Sequence, residues 1–511
     1  MADAIQTGQK LFLMEESLKQ KTFSGLVWNF LETFALQGFG FVQGVILARL
    51  LMPSDYGLIA MTTVFFTISY ALADTGFASA LIRKKEREEI DYSTVFVANV
   101  VLTFILCVIL CLCASFIAKF YNEPLLEKIV CVNAFLMFLT SFLSILSNRL
   151  TIELQFKEKS VISVVSAVVT GCISMGMAYM GYGVWSLIFP NFVSFLIRLV
   201  MFWRCLRWFP KWAFSWSIYK EYFSYGSKML LTTLIGAVYN NIYPIVIGRY
   251  YSSMRLGYYD KAQGYANLPS GVVGSAISKV TFPVLAKIQG DDEALRVIYR
   301  KMIRVSAFVV FPVAMLIAVM ARPLVIVLLT EKWEPCVIYL QIICFAAMWN
   351  PIHALNLNLL MVKGRSELFL RLEIIKKIVG VALLFGTIPM GLVVMCYGQV
   401  FSAILFLIIN TYYTGKFINA GFLRQMRDLV PTILYTLVMG GVVWLILWVI
   451  SSFYVQIIVG GIIGVFCYWG VAKITKSEDY NSFMDLVKQG VPEKYRMKLS
   501  ACVDFLRREN I

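Results

Sequence analysis

Few residues inside the apolar stretches of this 511-residue chain could do chemistry. Glu32 and Asp74 are carboxylates in apolar sequence, each about two helical turns from the end of its stretch. An acid so placed can hold a proton or a sodium ion, and an ionisable group there is a functional candidate by default. Asp74 opens Asp74-Thr75-Gly76, where glycine can interrupt a helix, so a capping role competes with ion binding. The single histidine, His353, lies in Trp349-Asn350-Pro351-Ile352-His353 and reads either as a protonation switch or as a satisfied packing group. Pro351 should kink the helix that carries it and free backbone carbonyls. Arg49 and Arg249 each close an apolar run, and their surroundings repeat. Leu47–Gly57 reads LARLLMPSDYG, and 200 positions later Ile247–Gly257 reads IGRYYSSMRLG, which places Arg49 on Arg249 and Gly57 on Gly257.

The elements that carry these residues are membrane helices. The chain is 59% hydrophobic and 15% charged, with several apolar runs near 20 residues or longer. Lipid offers backbone groups no partner, so each run must close its own hydrogen bonds as a spanning helix of about 20 residues. That excludes a soluble fold. Met1–Lys21 is not a signal peptide, because the apolar segment after it is too long for an h-region and lacks a small-residue cleavage site. Most of the eleven cysteines, such as Cys107, Cys111 and Cys113, lie in apolar segments without CxxC spacing, and read as small buried hydrophobes. Neither a metal nor a cofactor is expected.

Six spans are expected near 24–48, 56–81, 93–118, 124–147, 160–181 and 184–204, and six more near 225–249, 257–279, 303–328, 336–360, 370–389 and 391–414. Two further spans near 429–450 and 453–473 bring the total to fourteen. The expected organisation is a cytoplasmic segment 1–22, a six-helix lobe 23–206, a connector 207–224, a second six-helix lobe 225–418, two helices within 427–475 and an amphipathic tail 476–511. With the N-terminus inside, the outer segments hold only Arg49, Lys119, Lys128, Arg249, Arg255, Lys261, Arg322 and Lys332, and the inner segments hold the other 38 of 46 basic residues. Such a bias is the positive-inside pattern. The net charge of +16 therefore reads as topology and attraction to anionic membrane lipid, not as a nucleic-acid surface. Six spans per half put both halves into the membrane from the same side, as parallel repeats. Glu123-Pro124 before the fourth span and Glu334-Pro335 before the tenth fit the same duplication.

The ordered motifs GLVWNFLETFALQGFGFVQGVILARLLMPSDYGLIAM, LADTGFASALIRK, GYGVWSL, LGYYDKAQGYANLP, VTFPVLAKIQGDD, LLTEKW and GRSELFLRLEIIKK cover nearly the whole chain. In these the chain resembles bacterial lipopolysaccharide and exopolysaccharide exporters, the colanic-acid-exporter-like branch of the oligosaccharide flippases, in the superfamily that also holds multidrug extruders and the peptidoglycan-precursor flippase. The resemblance implies an all-α protein of two six-helix lobes around a central cavity that opens alternately to each side. It implies a bacterial inner-membrane protein with both termini cytoplasmic, no enzymatic step, and a polyprenyl-pyrophosphate-linked oligosaccharide as cargo.

Such a cargo makes demands on particular residues. A pyrophosphate needs fixed positive charge, for which Arg49 and Arg249 are candidates; snorkelling to lipid headgroups is the rival reading. Sugar needs amides, hydroxyls and aromatic faces. Gln37 and Gln43 with Trp28 and Asn29 offer these on the first span, Tyr239, Asn240, Asn241 and Tyr243 on the seventh, and Lys261, Gln263 and Tyr265 on the eighth. Gln37 and Gln43 are six apart, roughly 240° around a helix, so they cannot share a narrow stripe, and interhelical hydrogen bonding is the alternative. The peptidoglycan-precursor flippase carries arginines in mid-cavity, including on its first helix, whereas the first span here has none before Arg49. Either the pyrophosphate is held nearer the outer edge, or Arg198, Lys279, Arg304 and Lys376 take it from the inner side. Gly40 with Gly44 and Gly460 with Gly464 are candidate close-packing pairs. In the tail, Tyr495, Leu499, Val503 and Leu506 recur at helical spacing and point to interfacial anchoring, with docking of a polysaccharide-synthesis partner as the alternative. Rival functions are a cation-coupled multidrug extruder of the same architecture and a membrane polysaccharide polymerase. The second would need a large outer loop, and no outer loop here exceeds about 15 residues.

Overall fold

The computed structural model describes residues 2–74, 77–84 and 86–490. The tail residues Tyr495 to Leu506 lie outside the described residues, as do the side chains of Asp74 and Lys279. Every described secondary-structure element is a helix, and eleven of the helical segments are long and apolar enough to cross a membrane. The three other stretches read as spans, near 225–249, 257–279 and 370–389, are helical as well but are not among these eleven. The last of them carries Arg371, Glu373, Lys376 and Lys377, which lower its hydropathy. The chain divides into two compact units, residues 1–260 and 261–511, so the segment 225–249 falls within the first.

The first unit contains α1 (Ala2–Leu50), α2 (Pro53–Asp74), α3 (Phe77–Arg83), α4 (Glu89–Tyr121), α5 (Leu125–Ile152), α6 (Phe156–Tyr179), α7 (Trp185–Ile188), α8 (Pro190–Leu206), α9 (Trp216–Asn240), α10 (Ile242–Tyr250) and the start of α11 (Ser253–Lys287). The first span is thus the end of a 49-residue helix. The expected sixth span is broken before Pro190, which has no N–H to continue a helix. The core of this unit gathers Leu81, Phe96, Ile145, Leu146 and Leu150. Only the first half of the expected connector is a loop. Trp208 Nε1 donates to Glu89 Oε1 at 2.7 Å and the Ser215 N–H donates to Thr94 Oγ1 at 3.1 Å. From Trp216 the chain is helical, because Trp216, Tyr219 and Phe223 stack in series at 5.2 and 5.7 Å, the i, i+3, i+7 spacing of one helix face.

The second unit continues with α12 (Asp292–Val319), α13 (Ala321–Leu329), α14 (Cys336–Ala347), α15 (Asn350–Val362), α16 (Ser366–Thr387), α17 (Leu392–Ile418), α18 (Phe422–Val449), α19 (Phe453–Ile474) and α20 (Glu478–Gly490). Asp291 caps α12 by accepting from the N–H groups of Glu293 and Ala294, both at 3.0 Å. The tenth span breaks between α14 and α15, with Pro351 in the first turn of α15, where its missing N–H is harmless. Gly460 and Gly464 lie against Met320, Leu316 and Val443. At Gly40 and Gly44, by contrast, an added methyl would meet nothing within 4 Å, so that pair is not a packing motif of the first unit. A buried amide joins four elements: Gln425 Nε2 donates to Ala420 O at 2.8 Å, to Asn356 Oδ1 at 3.1 Å and to Tyr299 Oη at 3.4 Å, while Thr414 Oγ1 donates to Asn356 Oδ1 at 2.7 Å. Helix α20 docks on α12 through Arg304, which pairs with Glu478 at 2.8 Å and with Asp479 at 3.3 Å.

Candidate functional site

The expected site residues are distributed over both units. Glu32 is half-buried on α1 and accepts a 2.7 Å hydrogen bond from the buried Ser160 of α6. Trp28, one turn earlier, lies 5.8 Å from Lys157 Nζ. Gln43 turns toward α6, with Oε1 3.0 Å from the position a methyl would take on Gly171, while Gln37 is exposed. The two glutamines diverge as their six-residue spacing requires. Asn241 donates to Ala237 O of its own turn at 2.8 Å, Asn240 is exposed, and Tyr239 is half-buried. The Arg249 guanidinium lies 5.2 Å from the centre of the Phe120 ring, and Arg49, at the end of α1, is exposed. Lys261 and Tyr265, both half-buried, belong to the second unit. His353 Nδ1 lies 3.4 Å from Asn410 Nδ2, and its Nε2 is shut off from solvent without a partner among the described residues. No described carboxylate meets either ring nitrogen, so the ion pair that would favour a charged imidazole is missing.

The repeated stretch proves to be a contact with itself. Helix α1 ends at Leu50 and α2 begins at Pro53; α10 ends at Tyr250 and α11 begins at Ser253, so both breaks obey the 200-residue offset. A methyl on Gly57 would lie 1.7 Å from Ser253 O, and one on Gly257 would lie 1.9 Å from Pro53 O. Position 57 thus meets the image of position 53, and 257 meets 53 itself. The exchange is reciprocal, as across a two-fold axis, and it brings backbone against backbone, which only glycine allows. Glu123 supports the junction by accepting from Ser253 Oγ at 2.6 Å.

One cavity of the first unit is lined, apart from Arg198, by residues that the sequence reading passed over. It encloses about 620 Å³ among α2, α5, α6 and α8. Helix α2 contributes Thr62, Thr63, Thr67 and Tyr70; α5 contributes Asn133, Thr140, Ser144 and Ser147; α6 contributes Lys159 and Ser163; α8 contributes Asn191, Ser194 and Arg198. No carboxylate is among the lining residues. These polar positions recur three, four or seven apart on each helix, a helical face of hydroxyls and amides in otherwise apolar sequence. That periodicity was the available signal. It is silent about a cavity until the four helices are placed together.

The cavity wall is chemically uneven. Thr62, Thr63, Thr67 and Thr140 spend their hydroxyl protons on carbonyls of their own helices, at 2.7 to 3.0 Å, which leaves their oxygens as acceptors. Ser147, Ser163 and the outer guanidinium nitrogens of Arg198 donate no hydrogen bond among the described residues. Arg198 Nε donates to Ser166 Oγ at 3.0 Å, and Lys159 Nζ donates to Thr151 Oγ1 at 2.9 Å. Neither cation forms an ion pair among the described residues, although Glu32 is near enough to act on Arg198 electrostatically. Of the inner-side cations named from the sequence, Arg304 is paired with Glu478 and Asp479 and Lys376 with Glu373. Arg198 alone of those described faces a polar cavity.

Comparison with known proteins agrees with a transport fold. A family model described as "Polysaccharide biosynthesis protein" matches residues 46–338. The lipopolysaccharide biosynthesis protein WzxC of Escherichia coli (strain K12) is 25% identical over 404 residues, covering 77% of this chain and 80% of that protein. The succinoglycan biosynthesis transport protein ExoT of Rhizobium meliloti (strain 1021) is 26% identical over 323 residues, 63% of this chain and 65% of its own. Among solved structures, the lipid II flippase MurJ in an inward closed conformation superposes with a TM-score of 0.70 at 14% identity, covering 90% of this chain and all of that one.

Proposed function

Since the chain belongs to the polysaccharide biosynthesis protein family, we propose that it is a transporter that flips a lipid-linked oligosaccharide across a membrane, with no catalytic step of its own. Relatives named for lipopolysaccharide biosynthesis and for succinoglycan transport, and a fold shared with a lipid II flippase, support this reading. The observation that carries it is the cavity of the first unit. Threonine oxygens, amides and two cations around a space of about 620 Å³ suit a hydrated polyhydroxylated headgroup, and polar groups among membrane helices are retained only where they face protein or water. A cation-coupled drug extruder would place acids in that wall, and the wall has none.

In fuller form, the proposal is a fourteen-span protein of the bacterial inner membrane with cytoplasmic termini. Its two six-helix halves, related as parallel repeats, alternate access to a polyprenyl-pyrophosphate-linked glycan whose lipid tail stays in the bilayer. The 38-to-8 division of basic residues supports the orientation, and the reciprocal contact at Gly57 and Gly257 supports the duplication. Arg49 and Arg249 then act on the pyrophosphate at the rim; Gln43, Tyr239, Asn240 and Tyr265 serve the sugar, and Glu32 and Asp74 the coupling ion. The test is reconstitution in liposomes with fluorescent lipid-linked oligosaccharide, followed by its appearance in the opposite leaflet. Arg49→Ala with Arg249→Ala should slow flipping by about tenfold or more, the loss of one charge-assisted contact; flipping at the parental rate removes both arginines from the mechanism.

A further inference from the structure

We propose that Cys111 and Cys131 form a redox-active dithiol, a modification site at which a peroxide closes a disulfide between α4 and α5. These two helices run antiparallel on either side of a short turn, residues 122–124, and side-chain contacts fix their register. Ser115 Oγ donates to Glu127 Oε1 at 2.6 Å. Four residues further from the turn on each helix stand Cys111 and Cys131, and seven further again stand Phe104 and Phe138, whose ring centres are 5.5 Å apart. Steps of four and seven keep to one face of a helix, so the two cysteines occupy the rung between those contacts. Their thiols interact, and that of Cys111 also interacts with Cys107, one turn along α4. No CxxC spacing announces the pair, because its members come from different helices.

All three cysteines are free thiols, and they are not placed to hold a metal ion between them. Within the trio, geometry selects the pair. Residues four apart on one helix hold their Cβ atoms about 5–6 Å apart, beyond the roughly 3.5–4.5 Å that a disulfide spans, so Cys107 cannot join Cys111 while α4 stays intact. Cys111 and Cys131 sit on separate helices, which can close that gap, and both are half-buried whereas Cys107 is buried. The exposed neighbours on α4, Ile109, Leu112 and Phe116, are apolar, so a small neutral oxidant such as hydrogen peroxide suits the site better than a charged one. In the first step one sulfur exchanges its S–H bond for S–O as the peroxide O–O bond breaks, giving a sulfenic acid and one water. The second sulfur then displaces that oxygen: the S–S bond forms, and the hydroxyl leaves with the second thiol proton as another water. The two thiols lose two electrons and one peroxide becomes two waters. The bond fastens α5, which lines the cavity through Asn133, Leu136 and Thr140, to α4, which contributes nothing to that wall.

The full-length protein in detergent can be treated with hydrogen peroxide, quenched with catalase, alkylated under denaturing conditions and run on a nonreducing gel. The monomer band is then digested with trypsin, which cuts after Lys119 and Lys128 and so separates Cys111 from Cys131. The two peptides should leave as one linked species, lighter by two hydrogens than their sum, that dithiothreitol resolves. Cys111→Ser and Cys131→Ser should each abolish the linked species. Cys107→Ser should retain it, and so should Cys113→Ser, which removes an exposed thiol two residues along α4 on another face. The proposal is overturned if the parent yields no linked species, if the link survives the loss of Cys111 or of Cys131, or if Cys113→Ser removes it. Should a serine variant at 111 or 131 not fold, the alanine variant at that position carries the same expectation and the same power to refute.

Discussion

Replacing Gly57 by alanine puts a methyl group 1.7 Å from the Ser253 carbonyl oxygen, and Gly257→Ala puts one 1.9 Å from that of Pro53. Ordinary van der Waals contact begins near 3.4 Å, so the helices must part by roughly 1.5 Å. The obstacle is backbone, which cannot rotate away as a side chain would. Overpacking of this kind costs about 1–3 kcal/mol, while alanine in place of glycine within a helix returns about 1 kcal/mol. The control is Gly44→Ala, whose methyl meets nothing within 4 Å and which keeps only the favourable part. The gap between Gly57→Ala and Gly44→Ala is therefore about 1–3 kcal/mol, or a factor of about 5 to 150 in the folded-to-unfolded ratio. It can be read from denaturant midpoints of the purified protein in one detergent, with Gly257→Ala expected to match Gly57→Ala. Equal midpoints for Gly57→Ala and Gly44→Ala would refute the close crossing.

Gln425→Leu should destabilise the second unit by about 1–3 kcal/mol, because Asn356, Tyr299 and the Ala420 carbonyl lose their common donor in a buried setting; a denaturant midpoint unchanged from the parent counts against that network. Burial holds the Asp479 carboxyl above its ordinary 3.8, against the opposing pull of Arg304 and Thr432. Its folded pKa exceeds its unfolded one, so its contribution to docking α20 is complete below pH 3.8 and is lost as pH rises through the folded value. Limited proteolysis around residues 475–480 should therefore accelerate as pH rises through that window, and Asp479→Asn should flatten the dependence; a flat parental profile contradicts the assignment. If Glu32 couples an ion, Glu32→Gln keeps the Ser160 contact and makes flipping insensitive to imposed proton or sodium gradients, whereas a retained gradient response clears Glu32 of that role.

What the sequence displayed, and what it hid, follow from how local each cause is. The breaks after Leu50 and Tyr250 were legible because an arginine and a turn close an apolar run twice at one offset. The start of α9 was not, since Trp216, Tyr219 and Phe223 resemble an interfacial loop until their rings are seen to stack along one face. The long N-terminal extension of α1 was equally hidden: its charged residues deny it a lipid-facing signature, although nothing in them forbids a helix. Glu32 and Arg198 were visible as charges in apolar sequence, but their neighbours Ser160 and Ser166 were not, because a serine reveals nothing until another helix brings it a partner. The cavity lay beyond sequence reasoning for the same reason. Each hydroxyl is unremarkable on its own helix, and only the packing of α2, α5, α6 and α8 turns four ordinary faces into one wall.

The reciprocal meeting of residues 53 and 57 with 253 and 257 has a consequence for how this chain can change. Each copy of the repeated stretch is the mould for the other, so the two cannot vary independently: bulk gained at one glycine must be met by retreat of a carbonyl about 200 positions away. On the duplicated reading, a half-length ancestor would have met a second copy of itself at this surface. On that reading, the contact that now lies inside one chain is the arrangement a symmetric dimer would keep once its subunits were joined.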